Sequence, residues 1–287
     1  QLLRDVVAIP AGWASPDEHF TFDLVASSMV AILVSLVVVG RIERIGRLTV
    51  RLVPSMVLLY LFMTVSVLYT FAGDIPATLL LIVTDAFTGE AAAGGSIGAV
   101  ILLGVRRGAF SNEAGIGTES LAHGAAKTTE PIREGIVAMV GPVIDTLLVC
   151  TCTALIILLT GVWETDAGVQ GVTLTARAIE QVFPVTGMYL LLVMVGLLSF
   201  STMVTMWFYG VKCMGFLFGT KRQYWYSPIY LALLVGGAVV SMDIVNGLIL
   251  ATYATMAIPT MISALYLSPK VNLAAKAYFA KLDKPDE

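Results

Sequence analysis

Charged side chains are scarce in this sequence. Only 17 of its 287 residues are Lys or Arg and 20 are Asp or Glu, so charged residues make up 13% of the chain. Soluble domains carry roughly 25%. The net charge of −3 is small and by itself indicates nothing about nucleic acid. We predict no nucleic-acid partner.

Histidine and cysteine are scarcer still, with two and three residues respectively. Cys150 and Cys152 are two positions apart in an apolar segment, and side chains at that spacing do not face each other on a helix. We therefore expect no disulfide and no transition-metal site. We also predict that the protein uses no organic cofactor.

Apolar residues dominate instead. They make up 57% of the chain, the mean hydropathy is +0.88, and many apolar runs are long enough to cross a bilayer. The sequence predicts an all-α polytopic membrane protein with seven spans, at 24–40, 52–73, 75–106, 135–163, 185–211, 226–242 and 244–269.

Lys and Arg alternate with acidic residues along the predicted loops. They follow the first, third and fifth spans and recur in the tail, whereas acids dominate the N-terminal segment and the other loops. The positive-inside rule then places the C-terminus in the cytoplasm and the irregular N-terminal segment outside. Because the chain lacks both an initiator Met and a signal peptide, we expect further spans upstream of Gln1.

The third span, at 75–107, is interrupted in its middle. Residues 75–84 are too few to cross a bilayer, the polar stretch 85–90 breaks the pattern, and residues 91–105 resume it. This pattern predicts two half-helices, and in transporters such a break often holds the ligand. The alternative is a buried helix, a turn and a second short helix.

The second half-helix begins near 93–96, where its free N–H groups and dipole suit a substrate carboxylate. Gly94 and Gly95 would let the ligand approach the backbone. Small-residue packing between helices is the other explanation, since Gly94 and Gly98 match small-xxx-small spacing.

Three stretches resemble the bacterial alanine or glycine:cation symporter family, and the resemblance covers nearly all of 24–270. They are IPATLLLIVTDAFTGEAAAGGSIGA (75–99), GAFSNEAGIGTESLAHGAAKT (108–128) and VIDTLLVCTCTALIILLTG (143–161). The resemblance implies a leucine-transporter-like inverted-repeat fold, sodium-coupled uptake of small amino acids by alternating access, and a place in the bacterial inner membrane.

Under this resemblance the chain divides into three parts. Residues 1–74 would be an extracellular segment and the last two helices of the first repeat. Residues 75–269 would be the second five-helix repeat, and 270–287 a cytoplasmic tail. The missing N-terminal helices would supply the other half of the substrate and sodium site, so residues 1–287 alone are predicted not to transport.

Two positions depart from the family pattern at the predicted site. Glu90 stands where the family usually has Gln, and Ser96 stands where it usually has Phe. Glu90 would repel a neighbouring substrate carboxylate, but it suits an ammonium group, a cation or a proton. Ser96 would enlarge and wet the pocket. We predict a substrate other than alanine, larger or more polar.

The fifth span holds the positions that resemble the family's ion site. Adjacent hydroxyls there coordinate sodium, which implies this role for Ser201 and Thr202; the alternative is bonding to their own backbone. Thr205 and Met206 stand where the family has Gly and then Trp, and Trp207 comes one place later. We predict that Thr205 and Met206 contribute to an altered substrate pocket.

Asp145 lies within the fourth predicted span, where a charge is costly and usually functional. It is a candidate functional acid, with a structural role as the alternative. We expect Ser111, Asn112 and Glu113 to cap a short helix on a cytoplasmic gate or packing element, and His123 to be packed or exposed rather than catalytic.

Two other functional classes remain open from the sequence. One is an ion-conducting or non-transporting membrane subunit. The other is an intramembrane hydrolase that uses Asp145 with Asp85 or His123, although no Gly-x-Gly-Asp motif, zinc motif or Ser/His pair favours it. We predict a transporter and not an enzyme.

Overall fold

The computed structural model describes residues 2–15, 20–38, 42–87, 97–165 and 171–282. Throughout these ranges the regular structure is helical, and no β-strand occurs in them. The all-α prediction is confirmed.

Twelve α-helices are described, and we number them in chain order. They are α1 (Phe20–Val38), α2 (Ile42–Thr70), α3 (Ile75–Ala86), α4 (Ile97–Asn112), α5 (Thr118–His123), α6 (Pro131–Val143), α7 (Thr151–Leu159), α8 (Val162–Thr165), α9 (Val172–Val182), α10 (Thr186–Phe218), α11 (Tyr226–Val239) and α12 (Met242–Leu282). Two π-helical segments, Arg4–Ala8 and Ile144–Cys150, and the 3₁₀ turn Gln223–Trp225 complete the described elements.

Five stretches in the described part of the chain are helical, long and apolar enough to cross a membrane. They are Phe20–Val38, Leu52–Thr70, Pro131–Leu159, Thr186–Phe218 and Met242–Leu282. They match five of the seven predicted spans and make the protein a multi-pass membrane protein. The other two predicted spans correspond to shorter helices, α3 and α4 around residues 88–96, and α11.

The described helices form two compact units. The first takes its residues from 1–87 and 152–241. Its larger apolar cluster joins α2, α9 and α10 through Met63, Ile179 and Leu191, which are almost completely buried. A second cluster joins α1 and α10 through Val34, Val204 and Trp207. Close packing of these aliphatic and aromatic groups stabilises this unit, because helices in a bilayer associate through van der Waals contacts rather than removal of apolar area from water.

The N-terminal segment is more ordered than the sequence predicted. The π-helical turn Arg4–Ala8 buries Val6, and Leu2 joins the same apolar cluster as α2 and α9. Arg4 also donates a hydrogen bond to Asp23 of α1 at 2.7 Å. The expectation of an irregular segment is therefore wrong for 4–8, because two apolar side chains anchor it to the first unit.

The second unit takes its residues from 88–151 and 242–287. It contains α4, α5, α6, the π-helix Ile144–Cys150 and α12. Within it, α6 packs against α5 and α12, while α4 packs against the π-helix. These contacts position the polar residues that follow the apolar part of α4.

The last helix is longer than the predicted span. α12 continues from Met242 to Leu282 through Pro259 and Pro269, so no helix end coincides with the predicted boundary at 269. Likewise α4 reaches Asn112, although the sequence pattern predicted that its apolar half-helix would end at 105.

Candidate functional site

The predicted substrate contacts Glu90, Gly94, Gly95 and Ser96 lie outside the described residues. The helices on either side of this stretch are described. α3 has 12 residues and ends at Ala86, and α4 begins at Ile97. At 1.5 Å per residue α3 is about 18 Å long, too short to cross a hydrocarbon core of about 30 Å.

The hydroxyls predicted to bind sodium lie on different faces of α10. Ser201 is 8% exposed and donates its hydroxyl to the Leu198 carbonyl at 2.8 Å. Thr202 is exposed, as expected for adjacent residues separated by about 100° around a helix. The hydroxyl of Ser201 therefore satisfies its donor within its own helix and keeps its oxygen lone pairs as acceptors.

Thr205 and Met206 are half-buried on the next turn of α10. Thr205 donates its hydroxyl to the Ser201 carbonyl at 2.9 Å, so the structure brings these two predicted positions together, one turn apart. Met206 has no side-chain hydrogen bond among the described residues that would mark it as a site residue.

Trp207 is packed in the core of the first unit. Its side chain is 1% exposed, and its indole Nε1 donates to Ser227 Oγ at 3.1 Å. Val34 and Val38 of α1 belong to the same apolar cluster. The tryptophan that stands one place later than in the family pattern therefore packs α10 against α1 and α11.

Asp145 lies in the π-helix that follows α6. Proline at 142 lacks an N–H for the helical ladder, and the π-helical segment Ile144–Cys150 begins two residues later. Single π-turns within α-helices frequently occur at functional sites. The half-buried Asp145 accepts a hydrogen bond from Ser111 Oγ at 2.5 Å.

Further contacts connect the end of α4 to the π-helix. Asn112 donates its Nδ2 to Thr146 Oγ1 at 2.9 Å, and Ser111 Oγ lies 3.2 Å from Cys150 Sγ. Three π-helical side chains thus contact two consecutive residues of the FSNEAG stretch, residues 110–115. The pairs are more than 30 residues apart in sequence, and the only sequence signal that pointed to them was Asp145, an isolated acid in an apolar run.

The prediction that Ser111, Asn112 and Glu113 cap a short helix is wrong. The first two residues end α4, and the following short helix, α5, has Gly117 at its N-cap position without a side-chain cap. Asn112 Oδ1 instead accepts from the Ala114 amide at 2.9 Å, and Glu113 accepts from Thr118 Oγ1 at 2.6 Å. These bonds stabilise the turn itself.

The turn packs closely against α12. Ile116 is 5% exposed, and its carbonyl accepts a hydrogen bond from Thr260 Oγ1 at 3.1 Å. Gly117 has a φ of +107°, and a Cβ at this position would lie 2.6 Å from Thr260 Oγ1. Only glycine fits here, because the backbone is left-handed and the approach to α12 is closer than van der Waals contact.

His123 lies at the end of α5 and contacts Glu134 of α6, with 2.6 Å between Nδ1 and Oε1. The contact joins two helices of the second unit, which agrees with a packing role. Among the described residues, no group of His, Cys, Asp and Glu side chains could hold a metal ion.

Comparison with known proteins identifies the family of the chain. The model of the sodium:alanine symporter family matches residues 12–287. The chain belongs to the sodium:alanine symporter family. This confirms the resemblance seen in the FSNEAG stretch and its neighbours.

Several relatives have comparable similarity to this symporter-family chain. It is 35% identical over 268 residues to an uncharacterized transporter, YflA, of Bacillus subtilis, covering 91% of this chain and 57% of that protein. It is 35% identical to the sodium/alanine symporter AgcS of Methanococcus maripaludis, covering 89% and 56%. It is 33% identical to the probable sodium/glutamine symporter GlnT of Bacillus subtilis, covering 84% and 51%.

These relatives are named as transporters or symporters and not as enzymes. The family is one of membrane transporters, so the intramembrane-hydrolase alternative is set aside. The chain spans about half the length of the curated relatives it matches.

Proposed function

We propose that the protein is a sodium-coupled symporter of small amino acids that works by alternating access. The observation that carries this proposal is the family match over residues 12–287. Five long apolar helices support a multi-pass membrane location. We further propose a leucine-transporter-like inverted-repeat fold, with 75–269 as the second repeat, and an inner-membrane location with a cytoplasmic C-terminus.

The substrate proposal depends on the stretch between α3 and α4. Gly94 and Gly95 would allow the backbone to bind the substrate carboxylate, while Glu90 and Ser96 would select the rest of the substrate. Relatives of similar identity are named for alanine and for glutamine, so a change of substrate within this family is reasonable. We propose a substrate larger or more polar than alanine.

The proposed ion contacts are Ser201 and Thr202. Sodium is a hard cation that takes oxygen ligands, and a hydroxyl that donates to its own backbone still offers lone pairs. The Ser201–Leu198 hydrogen bond leaves this possibility open on a buried face of α10. Thr205, one turn later, is proposed to contact the substrate together with Met206.

The first experiment is a radiolabelled amino-acid uptake panel with the complete gene product in vesicles. Sodium chloride is compared with choline chloride at the same ionic strength. We expect saturable uptake that requires sodium and is strongest for an amino acid other than alanine. Saturable uptake that is equal in choline would contradict sodium coupling, and non-saturating conductance would favour a channel.

A second experiment tests the substrate determinants. We expect Glu90→Gln and Ser96→Phe each to shift the ratio of alanine uptake to uptake of the preferred substrate at least about tenfold towards alanine, roughly 1.4 kcal/mol of discrimination. Glu164→Gln and Ser263→Phe make the same chemical changes at exposed positions outside the proposed site. An unchanged substrate profile in both site variants would refute the proposal.

A further inference from the structure

α12 is much longer than a membrane span requires. Its 41 residues extend about 61 Å at 1.5 Å per residue, about twice the thickness of a hydrocarbon core. From 244 to 269 the helix contains no Lys, Arg, Asp or Glu. That apolar part is long enough to cross the bilayer by itself, so the remaining helical residues extend into the interface or beyond it.

The final part of α12 has a different composition. Residues 270–282 contain three lysines, Lys270, Lys276 and Lys281, and no acid. All three side chains are exposed in the second unit. The helix therefore changes from apolar to cationic within a few residues of Pro269.

Most of the larger apolar side chains are separated from the lysines around this part of the helix. The exception is Leu273, which is 70% exposed and lies on the lysine side, about 160° around the helix from Val271. At 100° per residue, Val271, Tyr278 and Leu282 fall within about 40° of one another, whereas the lysines lie about 80–140° from the middle of that stripe, on both sides of it. Val271 is 54% exposed and Leu282 is 62% exposed. This is the pattern of a helix that lies in a membrane interface with lysines extending to the headgroups.

Pro269 provides a place where the helix direction can change. It lies inside α12, and proline removes one hydrogen bond of the helical ladder and is a common cause of kinks. A bend there would let residues 270–282 leave the axis of the spanning part and lie along the membrane surface.

We propose that residues 270–282 form a membrane-surface helix whose three lysines bind the phosphates of anionic phospholipids. Charge complementarity selects this occupant, because a helical segment with three lysines and no acid before Asp283 follows directly from a membrane span. The apolar stripe inserts at the level of the acyl chains. The proposal depends on the membrane location of the chain but not on sodium coupling or on the substrate.

The test is amide hydrogen exchange of residues 270–282, measured by mass spectrometry on the whole protein in nanodiscs. One set contains phosphatidylcholine alone, and the other contains phosphatidylcholine with phosphatidylglycerol. We expect exchange to be at least about tenfold slower in the anionic discs, and the difference to disappear at high salt, which screens the headgroup charge. Equal exchange in both lipids would overturn the proposal.

Variants separate the lysine face from general effects of charge. Lys270→Gln, Lys276→Gln and Lys281→Gln combined should abolish the lipid-dependent slowing. The matched control combines Lys127→Gln, Lys212→Gln and Lys221→Gln, which are also exposed, and should keep it. Slowing that persists in the first variant would refute the role of these lysines.

A further experiment distinguishes lipid phosphate from free phosphate as the group that the lysines bind. Inorganic phosphate added to phosphatidylcholine discs should not slow exchange, because only a membrane surface also accommodates the apolar stripe. Slowing by free phosphate to the same degree would replace the lipid with a soluble anion and overturn the membrane-surface proposal. Uptake of the substrate does not enter the measurement, so failure here is distinct from failure of the symporter proposal.

Discussion

Two groups of polar side chains in apolar helices are satisfied in different ways. On α10, Ser201 and Thr205 donate to carbonyls of their own helix. At the end of α4, Ser111 and Asn112 donate to Asp145 and Thr146, 34 residues along the chain. A bond within one helix does not fix that helix against another, whereas a bond between elements does.

Hydrogen bonds within one helix and hydrogen bonds between elements have different effects on the structure. The Ser201 and Thr205 hydroxyls bond within α10 and therefore contribute little to holding elements together. The side chains of the FSNEAG stretch and the π-helix hold parts of the second unit in place. We therefore expect the apolar clusters of the first unit to be sensitive to changes in packing, and the contacts between α4 and the π-helix to be sensitive to changes in polar groups. The first unit also has polar contacts between elements, Arg4 with Asp23 and Trp207 with Ser227.

The largest effect is expected in the first unit from Trp207→Ala. Removal of a fully buried indole leaves a cavity and costs about 3–5 kcal/mol, in addition to the hydrogen bond to Ser227. Denaturation in mixed micelles measures the loss. Trp225→Ala, at a position that is 65% exposed, should change stability far less, and equal losses would contradict the assignment of Trp207 to the core.

The next largest effect is expected in the second unit from Gly117→Ala. The left-handed backbone strain costs about 1–3 kcal/mol, and the new Cβ would clash with Thr260 Oγ1. Adding Thr260→Ala should recover the part due to the clash. Gly104→Ala is the control, since no atom of the described residues beyond its own helix backbone lies within 4 Å of its Cβ position, and it should be neutral or slightly stabilising because alanine favours helix.

Double-mutant analysis can measure the interaction energy of the polar contact between α4 and the π-helix. Ser111→Ala and Asp145→Ala should show a coupling energy of about 1–2 kcal/mol, because the hydroxyl donates to a carboxylate in a membrane helix. Ser120 bonds within its own turn, so Ser120→Ala combined with Asp145→Ala should show almost no coupling. A coupling near zero for the first pair would remove the argument that this bond fixes α4.

The smallest effect on stability is expected from Ser201→Ala, below about 1 kcal/mol, since only a local hydrogen bond is lost. The same variant should raise the sodium concentration for half-maximal uptake at least about tenfold if Ser201 binds the ion, a difference of roughly 1.4 kcal/mol. Ser55→Ala removes an equivalent local bond on α2 and should change neither quantity. An unchanged sodium dependence in Ser201→Ala would refute the ion assignment.

Much of the helical architecture was predictable from sequence, because the length of an apolar run directly limits what can cross a bilayer. Five predicted spans coincide with long apolar helices. The ends were less predictable. Ser111 and Asn112 were predicted to cap a short helix, yet they continue α4, where the π-helix supplies partners for their side chains.

The contacts of the candidate residues were less accessible from sequence. Ser201 was predicted as an ion ligand only from the resemblance of its neighbours to the family, and that role stays a prediction; the structure shows that the residue is buried on α10. The pairing of Ser111 with Asp145 depends on which elements meet in space, and no local pattern encodes it. The cap prediction failed because a left-handed glycine, Gly117, occupies the N-cap position.

The Thr260–Ile116 hydrogen bond also has a consequence for biosynthesis. Its partners are 144 residues apart, and at about 5–20 residues per second the ribosome needs roughly 7–30 s to make the intervening chain. During that interval the carbonyl of Ile116 has no Thr260 to bond with, and the close approach at Gly117 does not exist. The FSNEAG turn can therefore reach its final packing only after α12 has been synthesised.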